Sequence, residues 1–295
     1  MPAHGLIVVL NASAVARHER IECELRERFR ALGCDANVIV AAGQDLTDVA
    51  RQAATRASTV VAAGGDGTVS SVVAGIIGDR TTLGVVPLGT LNHFAKDLRI
   101  PLDAQKAVET ILGGHVQQVD VGEVNDRVFV NNCSIGVYPD IVRERADRGQ
   151  GHARWLATAI ATFRVLRRSG DVTVRVDVCG QQQRWRTPFV FIGNNEYVID
   201  GVRLGTRATI DQGKSFVYVA PRADPGDLPG LLAKALIGRA RQSGAFEVVA
   251  ARELAIDAWR MKAIDVAVDG EIVRMATPLA YRTRPASLQV VVPRT

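Results

Sequence analysis

Ser58-Thr59-Val60-Val61-Ala62-Ala63-Gly64-Gly65-Asp66-Gly67-Thr68 is a β-branched, apolar run that halts at two glycines, a lone carboxylate, a third glycine and a hydroxyl. A second apolar run, Val69 to Ile77, resumes at helical spacing. Glycines at a strand–helix junction let backbone N–H groups approach an anion at the positive end of a helix. A carboxylate in such a cradle repels phosphate unless a divalent cation stands between them. The stretch therefore predicts a metal–nucleotide site on an α/β scaffold, with Asp66 on the metal. It is neither the dinucleotide fingerprint nor the P-loop, which needs Lys-Ser/Thr after its last glycine. As plain structure, the glycines would serve positive φ and Thr68 would be a helix N-cap.

Around this stretch, residues 1–120 alternate strand and helix. Strands are expected at Leu6–Leu10, Ala36–Ala41, Thr59–Ala63 and Leu83–Val86, and helices at Arg17–Leu32, Leu46–Ala57, Val69–Ile77, Asn92–Leu98 and Ala104–Leu112. In the first helix Ile21, Leu25, Phe29 and Leu32 share a face. Strands without polar alternation, interleaved with amphipathic helices, predict a parallel sheet covered on both sides. After Gln118 strand-like runs dominate: Val119–Val124, Arg127–Asn131, Val172–Val178, Thr187–Ile192, Ser215–Val219, Phe246–Ala250, Leu254–Asp257, Ile264–Val268 and Leu288–Val292. Gly, Asn and Asp turns between them predict an antiparallel sandwich, interrupted by helices at Ala153–Arg168 and Leu228–Gly238. Two domains follow, 1–120 and 121–295. The last strand, about 287–295, is expected to return to the first domain, and a ligand cleft is expected between the two.

Composition narrows the class. The chain has 295 residues, 47% hydrophobic and 23% charged, with a net charge of +5. That balance is globular, and it fits a polyanionic substrate, an anionic membrane surface or nucleic acid without choosing among them. Cys23, Cys34, Cys133 and Cys179 form no C-x-x-C pair, and they read as reduced thiols of a cytoplasmic protein. No apolar stretch reaches spanning length, and the N-terminal run reads as a first strand instead of a signal peptide.

A second motif, Pro87-Leu88-Gly89-Thr90-Leu91-Asn92-His93-Phe94-Ala95-Lys96-Asp97, begins at the end of the next strand. In an open parallel sheet adjacent strand ends share one crevice. Gly89 and Thr90 are candidates to complete the phosphate cradle, and Asn92 to cap the following helix or bond substrate. Val268-Asp269-Gly270-Glu271 joins two strands; Asp-Gly there is also an ordinary hairpin turn.

Together, Gly64–Thr68 and Pro87–Ala95 resemble the diacylglycerol kinase catalytic-domain family, which includes sphingosine and ceramide kinases and bacterial soluble lipid kinases. The resemblance extends along the chain. Leu10-Asn11-Ala12-Ser13 sits where the family has an Asn-Pro-x-Ser-Gly nucleotide loop. Phe129 to Gly136 resembles its Phe-x-Asn-x-x-Ser-x-Gly strand, and Ile192-Gly193-Asn194-Asn195 its Gly-Asn-Gly segment. Thr209-Ile210-Asp211-Gln212-Gly213 resembles a Leu-Asp-Asp-Gly segment, and Asp269-Gly270-Glu271 the catalytic Asp-Gly-Glu. The resemblance implies an N-terminal α/β nucleotide domain, a C-terminal β-sandwich, and ATP- and Mg²⁺-dependent phosphorylation of a diacylglycerol- or sphingoid-like hydroxyl. It implies that Asn11, Ser13, Gly64, Gly65, Asp66, Gly67, Thr68, Gly89, Thr90 and Asn92 bind nucleotide. It further implies that Asp269 or Glu271 is the general base, and that Asp211 and Gln212 stand where some members hold a structural Mg²⁺.

The chain departs from that pattern at several points. His93 stands where the family has Asp, and Lys96 where it often has Arg. Ala12 replaces proline, no glycine follows Ser13, Ala41 or Ala42 replaces a threonine, and Gln212 replaces an aspartate. Trp155–Arg168, with Arg143, Arg145, Arg148 and Arg154 before it, reads as a helix packed on the sandwich or as an interfacial helix for anionic lipid. The expectation is a cytoplasmic lipid kinase meeting its substrate peripherally at the inner membrane surface, without a nucleic-acid partner and with the oligomeric state open. The alternatives are a dinucleotide kinase acting on NAD, and a non-catalytic lipid or nucleotide sensor.

Overall fold

A computed structural model describes residues 5–14, 18–43, 45–136, 172–187, 189–200, 203–207, 209–219 and 247–294. The helices expected at Ala153–Arg168 and Leu228–Gly238, and the basic residues before the first of them, lie outside these residues. In chain order the elements are β1 (Leu6–Asn11), a 3₁₀ turn (Ala12–Ala14), α1 (His18–Ala31), β2 (Asn37–Ala41), α2 (Asp45–Ala54), β3 (Thr59–Gly64), α3 (Asp66–Ile76), β4 (Thr82–Pro87), α4 (His93–Asp97), α5 (Ala104–Gly113) and β5 (His115–Val124). Then follow β6 (Arg127–Phe129), β7 (Asn132–Gly136), β8 (Val172–Val178), β9 (Gln181–Thr187), β10 (Phe189–Asn194), β11 (Tyr197–Asp200), β12 (Arg203–Arg207) and β13 (Ser215–Val219). The chain closes with β14 (Glu247–Ala251), β15 (Glu253–Ala258), β16 (Ala263–Val268), β17 (Glu271–Ala276) and β18 (Leu279–Val292).

The chain divides into two units. One is Met1–Val121 with Thr209–Asp211 and Arg284–Thr295; the other is Gly122–Ala208 with Gln212–Thr283. β5 and β18 each run from one unit into the other.

In the first unit β2, β1, β3, β4 and the end of β18 lie side by side, all parallel. β1 pairs with β2 on one side and β3 on the other, so the chain reverses its winding direction at β1. Ligands of open α/β sheets bind outside the carboxyl ends of the strands at such a switch point. The loops after β1 and β3 flank it, and the loop after β4 is next. The core on one face is Val8, Leu10, Val61, Ala63 and Val86, covered by Leu25 and Phe29 of α1 and Val108 and Ile111 of α5. Each valine, leucine, isoleucine or phenylalanine side chain there contributes about 1.5–3 kcal/mol by leaving water. α1 ends at Ala31 with paired bonds from Cys34 N to Phe29 O (3.0 Å) and Gly33 N to Arg30 O (2.9 Å), which satisfy carbonyls of its last turn. Leu32 therefore leaves the apolar stripe expected for it and is exposed.

The second unit is an antiparallel sandwich. One sheet is β14-β13-β10-β7-β16-β17, and the other is formed by the start of β18 with β15, β8 and β9. Cys133, Ile135, Ile192 and Val266 of the first meet Val176, Ile256, Leu279 and Tyr281 of the second in one core. β11 and β12 form a separate two-stranded ribbon.

Candidate active site

In the first unit the sequence-singled loops converge. α3 begins at Asp66, three residues before the apolar run suggested, so Thr68 is a residue of its first turn and not its N-cap. Gly65 occupies the N-cap position with extended dihedrals and no side-chain bond. Thr68 is buried, and its hydroxyl accepts from Asn11 Nδ2 at 2.9 Å, which ties the end of β1 to the start of α3. Asn11 Oδ1 accepts from Ser13 N at 2.9 Å, so one side chain turns its own loop and holds the next.

The loop glycines work through proximity, since none of Gly64, Gly65, Gly67 and Gly89 has positive φ. A Cβ on Gly64 would stand 2.2 Å from Thr68 Oγ1, and a Cβ on Gly89 would stand 2.4 Å from Gly65 Cα. The loops after β3 and β4 are thus packed backbone against backbone.

Asp66 is turned toward the second loop. Its Oδ2 accepts from His93 N and its Oδ1 from Phe94 N, both at 3.1 Å. It thereby caps α4 from a distant part of the chain, and His93 takes part through its backbone. Asn92, the residue before α4, has φ +48° and makes no cap bond. Its amide instead clasps Gly89, accepting from Gly89 N at 3.1 Å and donating to Gly89 O at 2.8 Å. Thr90 and Lys96 are exposed beside them.

With Asp66 aimed at α4, the first-turn N–H groups of Asp66, Gly67 and Thr68 meet no acceptor among the described residues. First-turn donors have no intrahelical partner and favour anions. These groups fit a phosphate. A caged divalent ion fits less well. Among the described residues no three His, Cys, Asp or Glu side chains converge, and both Asp66 oxygens already accept N–H groups. Asp211 is exposed, and Gln212 clasps a loop: its Oε1 accepts from Glu196 N at 2.9 Å and its N–H donates to Asn195 Oδ1 at 2.7 Å.

The second constellation lies in the sandwich. Asp269 (φ +46°) and Gly270 (φ +88°) form the two-residue turn of the β16–β17 hairpin, with Val268 opposite Glu271. Positive φ at both positions matches the twist of the flanking strands, so the plain hairpin expectation holds. The turn does more than reverse the chain. Asp269 Oδ2 accepts from Val130 N at 2.8 Å, and Oδ1 from Asn131 N and Asn132 N at 2.8 and 2.9 Å. Glu271 is exposed and pairs with Arg127 Nη2 at 2.6 Å. Below the turn, burial pushes the Cys133 thiol well above its usual range, and the negative charge of Asp269 adds to the effect.

Three residues of this constellation carry no mark in the sequence. Arg207 is buried, and its guanidinium donates to Val130 O (2.7 Å), Asn194 O (3.0 Å) and Asn131 Oδ1 (3.1 Å). Tyr197 Oη donates to Asn131 O at 3.1 Å. Arg127 is one of many arginines by composition; only the fold brings it against Glu271, 144 residues away in sequence.

Comparison with known proteins places these loops in context. Residues 5–124 match the diacylglycerol kinase catalytic domain, and residues 133–292 match the YegS C-terminal NAD kinase beta sandwich-like domain. A diacylglycerol kinase of Staphylococcus saprophyticus is 25% identical over 231 residues, which are 78% of this chain and 75% of that protein. One of Staphylococcus aureus is 28% identical over 214 residues, 72% and 67% respectively. Among solved structures, a diacylglycerol kinase from Bacillus anthracis superposes with a TM-score of 0.75 at 22% identity, covering 99% of this chain and 98% of that one. Yeast NADH kinase complexed with NADH superposes with a TM-score of 0.61 at 11% identity, covering 100% and 85%. Both structural likenesses concern the fold.

Proposed function

The chain belongs to the lipid-kinase family marked by the diacylglycerol kinase catalytic domain followed by the YegS-type sandwich, and on that premise we propose that it transfers the γ-phosphoryl group of ATP to a lipid hydroxyl. The observation that carries this reading is the first turn of α3, whose N–H groups stand open while Asp66 spends its charge on the N-terminus of α4. The carboxylate that looked repulsive in the sequence is neutralised where it stands, and the cradle beside it remains available to phosphate.

Phosphoryl transfer asks a protein chiefly for positioning and charge stabilisation, plus a group to take the acceptor's proton. The Gly65–Gly89 contact lets phosphate reach the backbone of both loops. Glu271 is the carboxylate proposed to accept the proton of the lipid hydroxyl, because it is exposed and held in place by the Arg127 guanidinium. Asp269, with three N–H donors on its two oxygens, serves as the anchor of the turn that presents Glu271. Mg²⁺ would arrive with the triphosphate, since this ion is commonly held by one or two carboxylates and substrate phosphates. A diacylglycerol- or sphingoid-like acceptor is the substrate class proposed, met at a membrane surface from the aqueous side. No helix of the described residues is long and apolar enough to span a bilayer.

The fold shared with an NADH kinase makes dinucleotide phosphorylation the second reading. Labelled ATP offered with diacylglycerol, a sphingoid base, ceramide and NAD separates the two. Label in a lipid is the expected outcome. Label in NAD alone would overturn the choice of acceptor, and ATP binding without any transfer would favour a sensor.

A further inference from the structure

We infer that Arg207 is a positioning residue for the Asp269–Glu271 turn, coupled to Asp269 through the peptide unit that joins Val130 to Asn131. The carbonyl of that unit accepts from Arg207 Nη1 at 2.7 Å, and its N–H donates to Asp269 Oδ1 at 2.8 Å. The peptide dipole thus lies with its negative end on a cation and its positive end on an anion. Hydrogen bonds in such a chain polarise and strengthen one another, and those to charged groups are the stronger kind. The next unit is held in the same sense. Asn131 O accepts from Tyr197 Oη at 3.1 Å and from Asn194 N at 3.0 Å, while Asn132 N donates to Asp269 Oδ1 at 2.9 Å.

Each element has a reason to be where it is only if the segment 130–132 must not move. Arg207 is 5% exposed, and a buried guanidinium needs several acceptors to offset its lost hydration. It finds them on Val130, on Asn194 and, through Nη2, on the side chain of Asn131. The Tyr197 ring adds a face, with the guanidinium carbon 5.6 Å from its centre. The fork fixes the carbonyl side of the segment and Asp269 fixes its N–H side. Asp269 N also donates to Asn132 O at 2.9 Å, which locks the turn to the same residues. A change at Arg207 should therefore reach Asp269, and through it Glu271.

The test uses Arg207→Lys and Arg207→Met in the full chain. Lysine keeps the charge but cannot present a planar fork to three acceptors. Amide hydrogen exchange at Val130, Asn131 and Asn132 should rise about 10-fold in either variant, as in Asp269→Asn, while amides of the β8–β15 pair keep wild-type protection. Unchanged exchange at the three amides in a folded Arg207→Lys protein overturns the coupling. The kinetic arm rests on the proposed function: kcat for lipid phosphorylation should fall roughly 10- to 100-fold with KM for ATP unchanged. Wild-type kcat in Arg207→Lys would refute the positioning role. Should the wild type phosphorylate no lipid, the functional reading fails, and the exchange result still decides the coupling.

Discussion

Asp66 sets a negative charge in the first turn of α3, beside the proposed phosphate cradle, and two backbone N–H groups of α4 bind that charge. Removing that acceptor leaves both donors without a protein partner. Asp66→Ala should lower stability by about 1–2 kcal/mol, the cost of a lost cap, whereas Asp66→Asn keeps one acceptor oxygen and should lose less. Denaturant unfolding of the two variants measures the order. The residue type and its oddness are plain in the sequence. Its partner is not, because the bond joins positions 27 and 28 residues apart. The same holds for Thr68, which looks like a cap and instead receives the Asn11 amide. The cysteines give a simpler check. Cys23 and Cys179 are exposed, whereas Cys34 and Cys133 are buried, with their thiols pushed up by burial first and neighbouring acidic charge second. At pH 8 a thiol reagent should label Cys23 and Cys179 in the folded protein, and denaturant should expose the remaining pair.

Among elements, the β3–α3 and β4–α4 junctions depend on a contact between two glycines. Gly89→Ala would drive a Cβ to 2.4 Å from Gly65 Cα, against backbone that cannot swing aside. ATP affinity should fall by about 10-fold or more, read by titration calorimetry. The β16–β17 hairpin separates the anchor Asp269 from the proposed proton acceptor Glu271. Asp269→Ala strips three N–H groups of their acceptor and should cost on the order of 3 kcal/mol. Glu271→Gln, exposed and in a surface ion pair, should change stability by about 0.5 kcal/mol or less while abolishing turnover. The parallel strands were legible because strands buried on both faces read as continuous apolar runs. The start of α3 was missed because Asp66 and Gly67 are poor helix formers with no apolar period. β9, Gln181–Thr187, was missed for a related reason: it is an exposed edge strand, polar along most of its length, with Trp185 and Thr187 turned inward.

At the scale of the molecule, the change from alternating strands and helices to strand-like runs separated by Gly, Asn and Asp turns marked the passage from the parallel sheet to the sandwich. Arg284–Thr295 groups with the first unit and holds an apolar run, whereas Thr209–Asp211, which groups with the same unit, carries no such mark. Three residues carry no period, and their place is set by a bond from Asp120 N to Ile210 O at 2.9 Å. The buried Arg207 network was invisible for the same cause, since its acceptors, two backbone carbonyls and the Asn131 side-chain oxygen, come from segments far apart in sequence. The measurement that bears most directly on the central claim is transfer of labelled γ-phosphate from ATP by the wild type and by Glu271→Gln, with diacylglycerol, a sphingoid base and NAD competing in the same reaction. The expected result is a labelled lipid from the wild type and none from Glu271→Gln. Label on NAD alone, or equal lipid labelling by both proteins, would contradict it.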